Sequence, residues 1–447
     1  MSDAPAPARA QRPRQGAELE LEIDSLAHGG RGVARSNGYV VFVTGALPGD
    51  RVRARLTRSK RDYGEASAIE LLRPSAERVA DRCRHGGEPC PGAAWQGMAY
   101  ERQLAEKAAQ VEDALRRLGR LDGFELEPIE PALERWRYRN KLEYSFGPGG
   151  EGLALGFHRR GSWADVVDVD DCLLASERNN GARNAVRDWA RTEAIPAYDR
   201  RDQDGVLRNL VVREGRRTGE LQTRLVTSPA DFPRPPVDLH TVIEGPGGGT
   251  DGPTGVLGAE HLHEELRGLR FRVSHTAFLQ TNTEMAERLY EVVAGFAALR
   301  GRERVFDLFC GIGTIGLSLA RQAGEVWGLE SVGEAIADAE HNAEANEIPN
   351  ASFVAGDARL GTRPLIERAG RPDVVVVDPP RAGLSSKIVR RLLECEAPRV
   401  VYVSCNPTTL APNAAQMVEA GYTLRRVKPV DMFPQTPHTE CVALLEK

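Results

Sequence analysis

The chain has 447 residues and a formal net charge of −5, too long for one ordinary core, so two or three domains are expected. Near-balanced acids and bases exclude a wholly basic nucleic-acid coat, though not local basic patches. No stretch is apolar for long enough to cross a membrane, and residues 1–15, rich in Ala, Pro and Arg, lack the apolar run of a secretion signal; a disordered tail, a cytoplasmic location and a monomer are expected.

Residues 16–73 read as short strands divided by turns. Glu18 to Ile23 alternates polar and apolar side chains, Tyr39 to Val43 is apolar, Arg51 to Leu56 alternates again, and Ser67 to Leu72 completes the set. Turn clusters sit at His28–Gly32 and Leu47–Asp50. Many short strands in so short a span predict a small, OB-like β-barrel. Alternation puts Arg51, Arg53 and Arg55 on one face, with Arg58, Lys60 and Arg61 close behind. Such a stripe suits phosphate contact; a merely solvated face is the plainer reading.

Residues 74–268 read as a middle α+β domain. Tyr100, Leu104, Lys107, Val111 and Leu115 recur at helical spacing, predicting a helix over 97–120. Tyr138 to Tyr144 looks like a strand, and Leu207–Arg213 and Leu221–Val226 look like a pair across a turn. Gly245 to Gly252 lacks the Lys-Ser/Thr ending of a phosphate loop and reads as a connection. Seven scattered cysteines make no disulfide framework. Cys83, Cys90 and Cys172 are candidate ligands for iron or zinc, with His85 as a further donor; inert buried thiols are the alternative.

Residues 269–447 alternate strands and helices, the mark of an open, mostly parallel α/β sheet. Arg304 to Phe309 is a strand that turns through Gly311, Gly313 and Gly316 into a helix; strands ending near Glu330, Asp357, Asp378 and Cys405 follow. Ligands of such sheets bind beyond the C-terminal strand ends. The glycines suit an adenosine-bearing ligand, and Glu330 is placed for ribose hydroxyls. Asp378-Pro-Pro-Arg381 favours S-adenosylmethionine over a nicotinamide. Cys405 would face the same crevice, as packing or as a nucleophile. A thiol is useful where a pyrimidine carbon must be activated: addition at uracil C6 makes C5 nucleophilic, and a base must then remove the C5 proton. Glu440 is the candidate base and His438 the runner-up.

These residues together resemble the family of RNA uridine-C5 methyltransferases, over about Glu18 to the C-terminus. The resemblance is carried by Phe278-Leu-Gln-Thr-Asn282, Asp307-Leu-Phe-Cys-Gly-Ile-Gly313, Asp378-Pro-Pro-Arg-Ala-Gly383, Ser404-Cys-Asn-Pro407 and His438-Thr-Glu440. It implies a Rossmann-like catalytic domain, Cys405 as nucleophile and Glu440 as base. It also implies cofactor contacts from Gln280, Phe309, Thr314, Glu330, Asp357 and Asp378. Thr314 stands where many members have Asn. Leu26–Val33 and Gly45–Gly49 resemble the TRAM domain, an RNA-binding barrel, which favours ribosomal RNA (23S) as partner, with transfer RNA second. Members holding a [4Fe-4S] cluster have Cys-x5-Cys-x2-Cys plus a distant Cys. Here Cys83 and Cys90 are one residue too far apart, Ala93 occupies the third place and Cys172 matches the distant one. A cluster is expected with one usual ligand missing. The alternatives are an Asp-Pro-Pro amino-methyltransferase of nucleic acid, or a non-catalytic RNA-binding assembly factor.

Overall fold

Alternating side chains build the first sheet. In the computed structural model, which describes residues 12–86, 90–150, 152–235, 240–244 and 255–447, six strands pair in the order Glu18–Glu22, Arg51–Ser59, Tyr63–Arg73, Tyr39–Thr44, Gly32–Ser36 and Ser25–Leu26. Leu21, Val41, Val43, Val52, Ala54 and Leu56 point into one apolar core. Residues 12–15, expected in the tail, run against this sheet: Arg12 Nε donates to Ser59 Oγ at 2.8 Å, and Ser59 Oγ donates to the Pro13 carbonyl at 2.8 Å.

Arg51, Arg53 and Arg55 share the outer face, as their alternation predicts, but they are not a bare cationic stripe. Register sets them opposite Glu22, Glu20 and Glu18. Arg51 pairs with Glu20 at 2.9 Å, Arg55 with Glu18 at 2.9 Å, and Arg53 with Glu70. The acidic half of the first strand thus neutralises the face that was expected to meet phosphate.

A second sheet of seven strands forms the middle of the molecule, in the order Val166–Asp168, Ala154–His158, Lys141–Gly147, Leu207–Glu214, Leu221–Thr227, His240–Glu244 and Gly255–Leu257. The helix Glu177–Thr192, capped by Ser176, packs on it. The Gly245–Gly252 segment lies outside the described residues. A two-stranded hairpin, His261–Leu266 with Leu269–Ser274, straddles position 268 and buries Leu266, Phe271 and Val273 in the catalytic core.

The third sheet runs Ala351–Ala355, Glu325–Glu330, Arg304–Leu308, Val374–Val377, Arg399–Ser404, Glu440–Glu446, Thr423–Val430 and Glu125–Leu126. Neighbours pair in parallel except at Glu440–Glu446, which is antiparallel on both sides. The near-continuous apolar runs of the central strands Val374–Val377, Arg399–Ser404 and Glu440–Glu446 are what burial on both faces demands. Apolar side chains of the helix Tyr100–Asp113, called α1 below, and of the turn Ala114–Leu118 join the catalytic core. Among the described residues no helix is long and apolar enough to cross a membrane.

Candidate active site

The reversed strand decides which residues meet. Parallel strands bring their C-terminal ends to one edge; the antiparallel Glu440–Glu446 brings its first residue there instead. Ser404 pairs with Cys441, so Cys405, the residue after Arg399–Ser404, lies beside Glu440, the first residue of the neighbouring strand. Asp378 ends the strand on the other side of Arg399–Ser404. Its charge and that of Glu440 both bear on the Cys405 thiol.

Local hydrogen bonds fix the Cys405 turn. Ser404 Oγ accepts from Asn406 N–H at 3.1 Å, and Asn406 Oδ1 caps the helix Pro407–Glu419 by accepting from Thr408 N–H at 3.1 Å. Asn406 Nδ2 donates to the Arg381 carbonyl at 3.2 Å, tying this turn to the Asp-Pro-Pro-Arg loop. That loop closes tightly: Gly383 has φ +72°, and a Cβ there would lie 2.8 Å from Thr409 Cβ.

Burial dominates the electrostatics. A helix N-terminus beside a thiol ordinarily favours the thiolate. Here burial, then Glu440 and Asp378, push Cys405 up to about 11, against a smaller lowering by Arg381. Glu440 is buried, and desolvation followed by Asp378 raises its carboxyl well above the usual range. Asp378 is pushed up by burial to about 7, opposed by its hydrogen bond to Gln280. His438 moves the other way: burial, then Arg381, lower it to about 4. Of the two candidate bases, Glu440 therefore has the stronger proton affinity.

The glycine turn and its surroundings match an adenosine-bearing ligand. Phe309 and Gly313 have φ of +67° and +83°, so the chain turns sharply between strand and helix. Space beside Gly311 is open. Glu330 accepts from Gly311 N–H at 3.3 Å and from Val332 N–H at 3.0 Å. Thr314 opens the following helix and accepts from Tyr290 Oη at 3.0 Å. Asp307 is fully buried: Oδ2 accepts from Gly316 N–H at 2.8 Å, while Oδ1 has no partner. A buried carboxylate oxygen left over at this turn is a signal that the strand pattern placed but did not single out. Asp357 is exposed and caps the helix Ala358–Ala369 through Arg359 N–H at 2.8 Å, so a structural role accounts for its hydrogen bond.

A cavity of about 490 Å3 opens where the three sheets meet, lined by Arg31, Arg139, Arg160, Arg381 and His438 together with Cys83, Cys90 and Cys172. Four guanidinium groups from separate segments replace the barrel stripe as the cationic feature next to the catalytic edge. The three thiols converge as expected, and Ala93 lines the same cavity. Cys90 is held as a thiol by burial, its value near 11. Yet among the described residues no group of three or more Cys, His, Asp or Glu is disposed to hold a metal ion. With a methyl group at position 93, the donor set does not fit a [4Fe-4S] cluster, which takes four protein thiolates. Three of the four usual thiolates are present, and the described residues show no group that holds a metal.

Residues 256–447 match the family model described as tRNA (Uracil-5-)-methyltransferase, and residues 12–69 match the TRAM domain. An uncharacterized RNA methyltransferase of Halalkalibacterium halodurans is 36% identical over 96% of each chain. One from Bacteroides thetaiotaomicron is 39% identical over 94% of this chain and 100% of its own. The chain belongs to the RNA (uracil-5-)-methyltransferase family. The crystal structure of Pyrococcus abyssi tRNA (uracil-54, C5)-methyltransferase, in complex with S-adenosyl-L-homocysteine, superposes with a TM-score of 0.78 at 27% identity, covering 95% of this chain and 99% of that one. As a member of this family, the enzyme uses S-adenosylmethionine. The open space at Gly311, the Glu330 carboxylate and the unpartnered Asp307 Oδ1 fit its adenosine and polar ends.

Proposed function

We propose that the enzyme methylates C5 of a uridine in structured RNA through a covalent bond between Cys405 and uracil C6. The observation that carries this reading is the adjacency of Cys405 and Glu440 at one sheet edge, next to Asp378. Cys405 Sγ loses its proton to solvent and adds as the thiolate to C6, and the C5=C6 π electrons move into a C5–C4 enolate. When bound, S-adenosylmethionine would supply the electrophilic methyl group for C5, its S–CH3 bond breaking as C5–CH3 forms and S-adenosylhomocysteine being the leaving group. Glu440 then takes the C5 proton, the electrons re-form C5=C6, and the Cys405–C6 bond breaks. Glu330, Gln280, Phe309, Thr314, Asp357 and Asp378 are the proposed cofactor contacts, with Asp307 added to them; Asp357 also caps the helix Ala358–Ala369. Asp378 also steadies the uracil. The base must leave its stack to reach this edge.

The proposed substrate is 23S ribosomal RNA, the partner that the family resemblance favours. Transfer RNA is the second reading, favoured by the likeness to the Pyrococcus enzyme across 95% of this chain. Methyl-labelled cofactor, each RNA in turn and a denaturing gel test both levels. Cys405→Ala gives neither adduct nor product. Glu440→Gln accumulates a protein–RNA adduct carrying the label. Methylated product from Cys405→Ala overturns the thiol mechanism, and label in transfer RNA alone overturns the ribosomal assignment.

A further inference from the structure

The segment 431–439 joins the strands Thr423–Val430 and Glu440–Glu446, whose Val430 and Glu440 face each other. It therefore begins beside the base and ends on it, and its Thr436, Pro437 and His438 line the cavity. Nine residues without regular structure do not hold a carboxylate by themselves. Asn282 Nδ2 donates to the Met432 carbonyl at 2.9 Å and Tyr138 Oη to the Pro434 carbonyl at 3.1 Å, and the remaining side-chain ties come from residues more than 300 positions earlier.

At one end, Lys107 of α1 and Asp431 are both completely buried and pair at 2.5 Å. Lys107 Nζ also donates to the Phe433 carbonyl at 3.0 Å, and Tyr100 Oη donates to Asp431 Oδ2 at 2.8 Å. In the middle, the Gln103 amide makes two bonds to Gln435: Nε2 donates to Gln435 Oε1 at 2.9 Å, and Oε1 accepts from Gln435 N–H at 3.0 Å. Gln435 has φ +68°, a left-handed conformation that a glutamine keeps only when its surroundings impose it. At the far end the barrel arrives. A Cβ on Gly30 would lie 2.7 Å from Pro437 Cβ and 2.8 Å from Trp95 Nε1. A buried ion pair contributes little net stability compared with apolar groups of the same shape, because both charges are desolvated. Its directional bonds do fix one loop conformation.

We infer that Lys107 and Gln103 are positioning residues for Glu440: α1, helped by the barrel turn at Gly30, clamps the 431–439 loop so that the base meets C5. The N-terminal half then does more than carry RNA; it completes proton removal. This rests on the proposed roles of Cys405 and Glu440, and the experiment separates the two.

Lys107→Met, Lys107→Met/Asp431→Leu, Gln103→Leu and Glu440→Gln are made in the full chain. Each is assayed with labelled cofactor for adduct formation, for its decay to product, and for KM and kcat. The double variant leaves no unpaired charge, so it folds if the single one does not. A displaced base of about 1 Å costs on the order of a hundredfold in the step it serves. The clamp variants are expected to form adduct at close to the wild-type rate, because Lys107 and Gln103 bond to the 431–439 loop and not to the Cys405 turn. They then release product at least tenfold more slowly, with methylated adduct accumulating and KM for RNA unchanged. A merely structural role lowers the amount of active enzyme without changing how adduct partitions. Wild-type turnover without adduct in the folded double variant and in Gln103→Leu overturns the clamp. Absence of methylated adduct in Glu440→Gln overturns the assigned base instead.

Discussion

The Cys405 thiol offers a quantitative test of the site's electrostatics. With a value of about 11 against an ordinary 9.0, the thiolate fraction at pH 8 falls from about one in ten to about one in a thousand. A more basic thiolate is also a better nucleophile, and a Brønsted slope of about 0.4–0.5 over two units returns roughly six- to tenfold. Alkylation by iodoacetamide should therefore be roughly tenfold slower at pH 8 than for an ordinary peptide thiol. The sign follows from a raised acid: reactivity climbs about tenfold per pH unit from 7 to 10 and does not level off. Arg381→Gln removes a lowering influence and slows the reaction further; Glu440→Gln removes a raising one and speeds it at alkaline pH. The assay is mass-spectrometric quantitation of the Cys405 peptide after timed quenching, without RNA. A plateau at or below pH 9, or a rate above that of the peptide thiol at pH 8, refutes the claim that burial outweighs the helix terminus here.

Other outcomes follow from the same geometry. Because Arg51 and Arg55 are paired with Glu20 and Glu18, changing both to Gln should leave the salt dependence of RNA binding nearly unchanged. Arg160→Gln should lower its slope by about 0.7–0.9, the loss of one phosphate contact; filter binding at several salt concentrations distinguishes the two, and the reverse order refutes the cavity as the cationic contact. Anaerobically purified protein should contain no stoichiometric iron or acid-labile sulfide, since Ala93 supplies no fourth thiolate; one cluster per chain refutes this. Asp307 is raised to about 7 by burial, so the folded state binds a proton that the unfolded state has already lost. Its stabilising effect is present below the unfolded value and lost as pH rises through 7. The cofactor-free wild type should lose thermal stability from pH 6 to pH 8 relative to Asp307→Asn.

Much of the catalytic half was legible because local pattern and tertiary role agree there. The strand ends at Glu330, Asp378 and Cys405 follow from apolar runs broken by polar or proline-rich turns, and the parallel sheet then brings those ends together. The reversed strand Glu440–Glu446 reads as apolar in sequence, but its direction does not, and direction is what puts Glu440 beside Cys405. Pairing partners were likewise hidden. Glu18, Glu20 and Glu22 are plain in the sequence, yet only the register of their strand against Arg51–Ser59 sets them on the arginines. Lys107 was read as one position in a helical stripe, since its partner Asp431 lies 324 residues away. The capping role of Asp357 was likewise hidden, since it depends on the helix that begins at Ala358.

The strand Glu125–Leu126 has only two residues, but the chain around it runs along the outer side of Thr423–Val430. Glu127 N–H donates to the Val427 carbonyl at 2.9 Å, Glu130 N–H to the Pro429 carbonyl at 2.9 Å, and Asp431 N–H to the Glu130 carbonyl at 2.9 Å. An open sheet margin is a template on which a second copy pairs. A catalytic fragment cut at residue 256, where the family match begins, would bare that margin together with the apolar surface that Val111, Leu115, Leu121 and Phe124 cover. Such a fragment would self-associate, so the chain from Val111 to Glu130 keeps the catalytic sheet from pairing with its own kind.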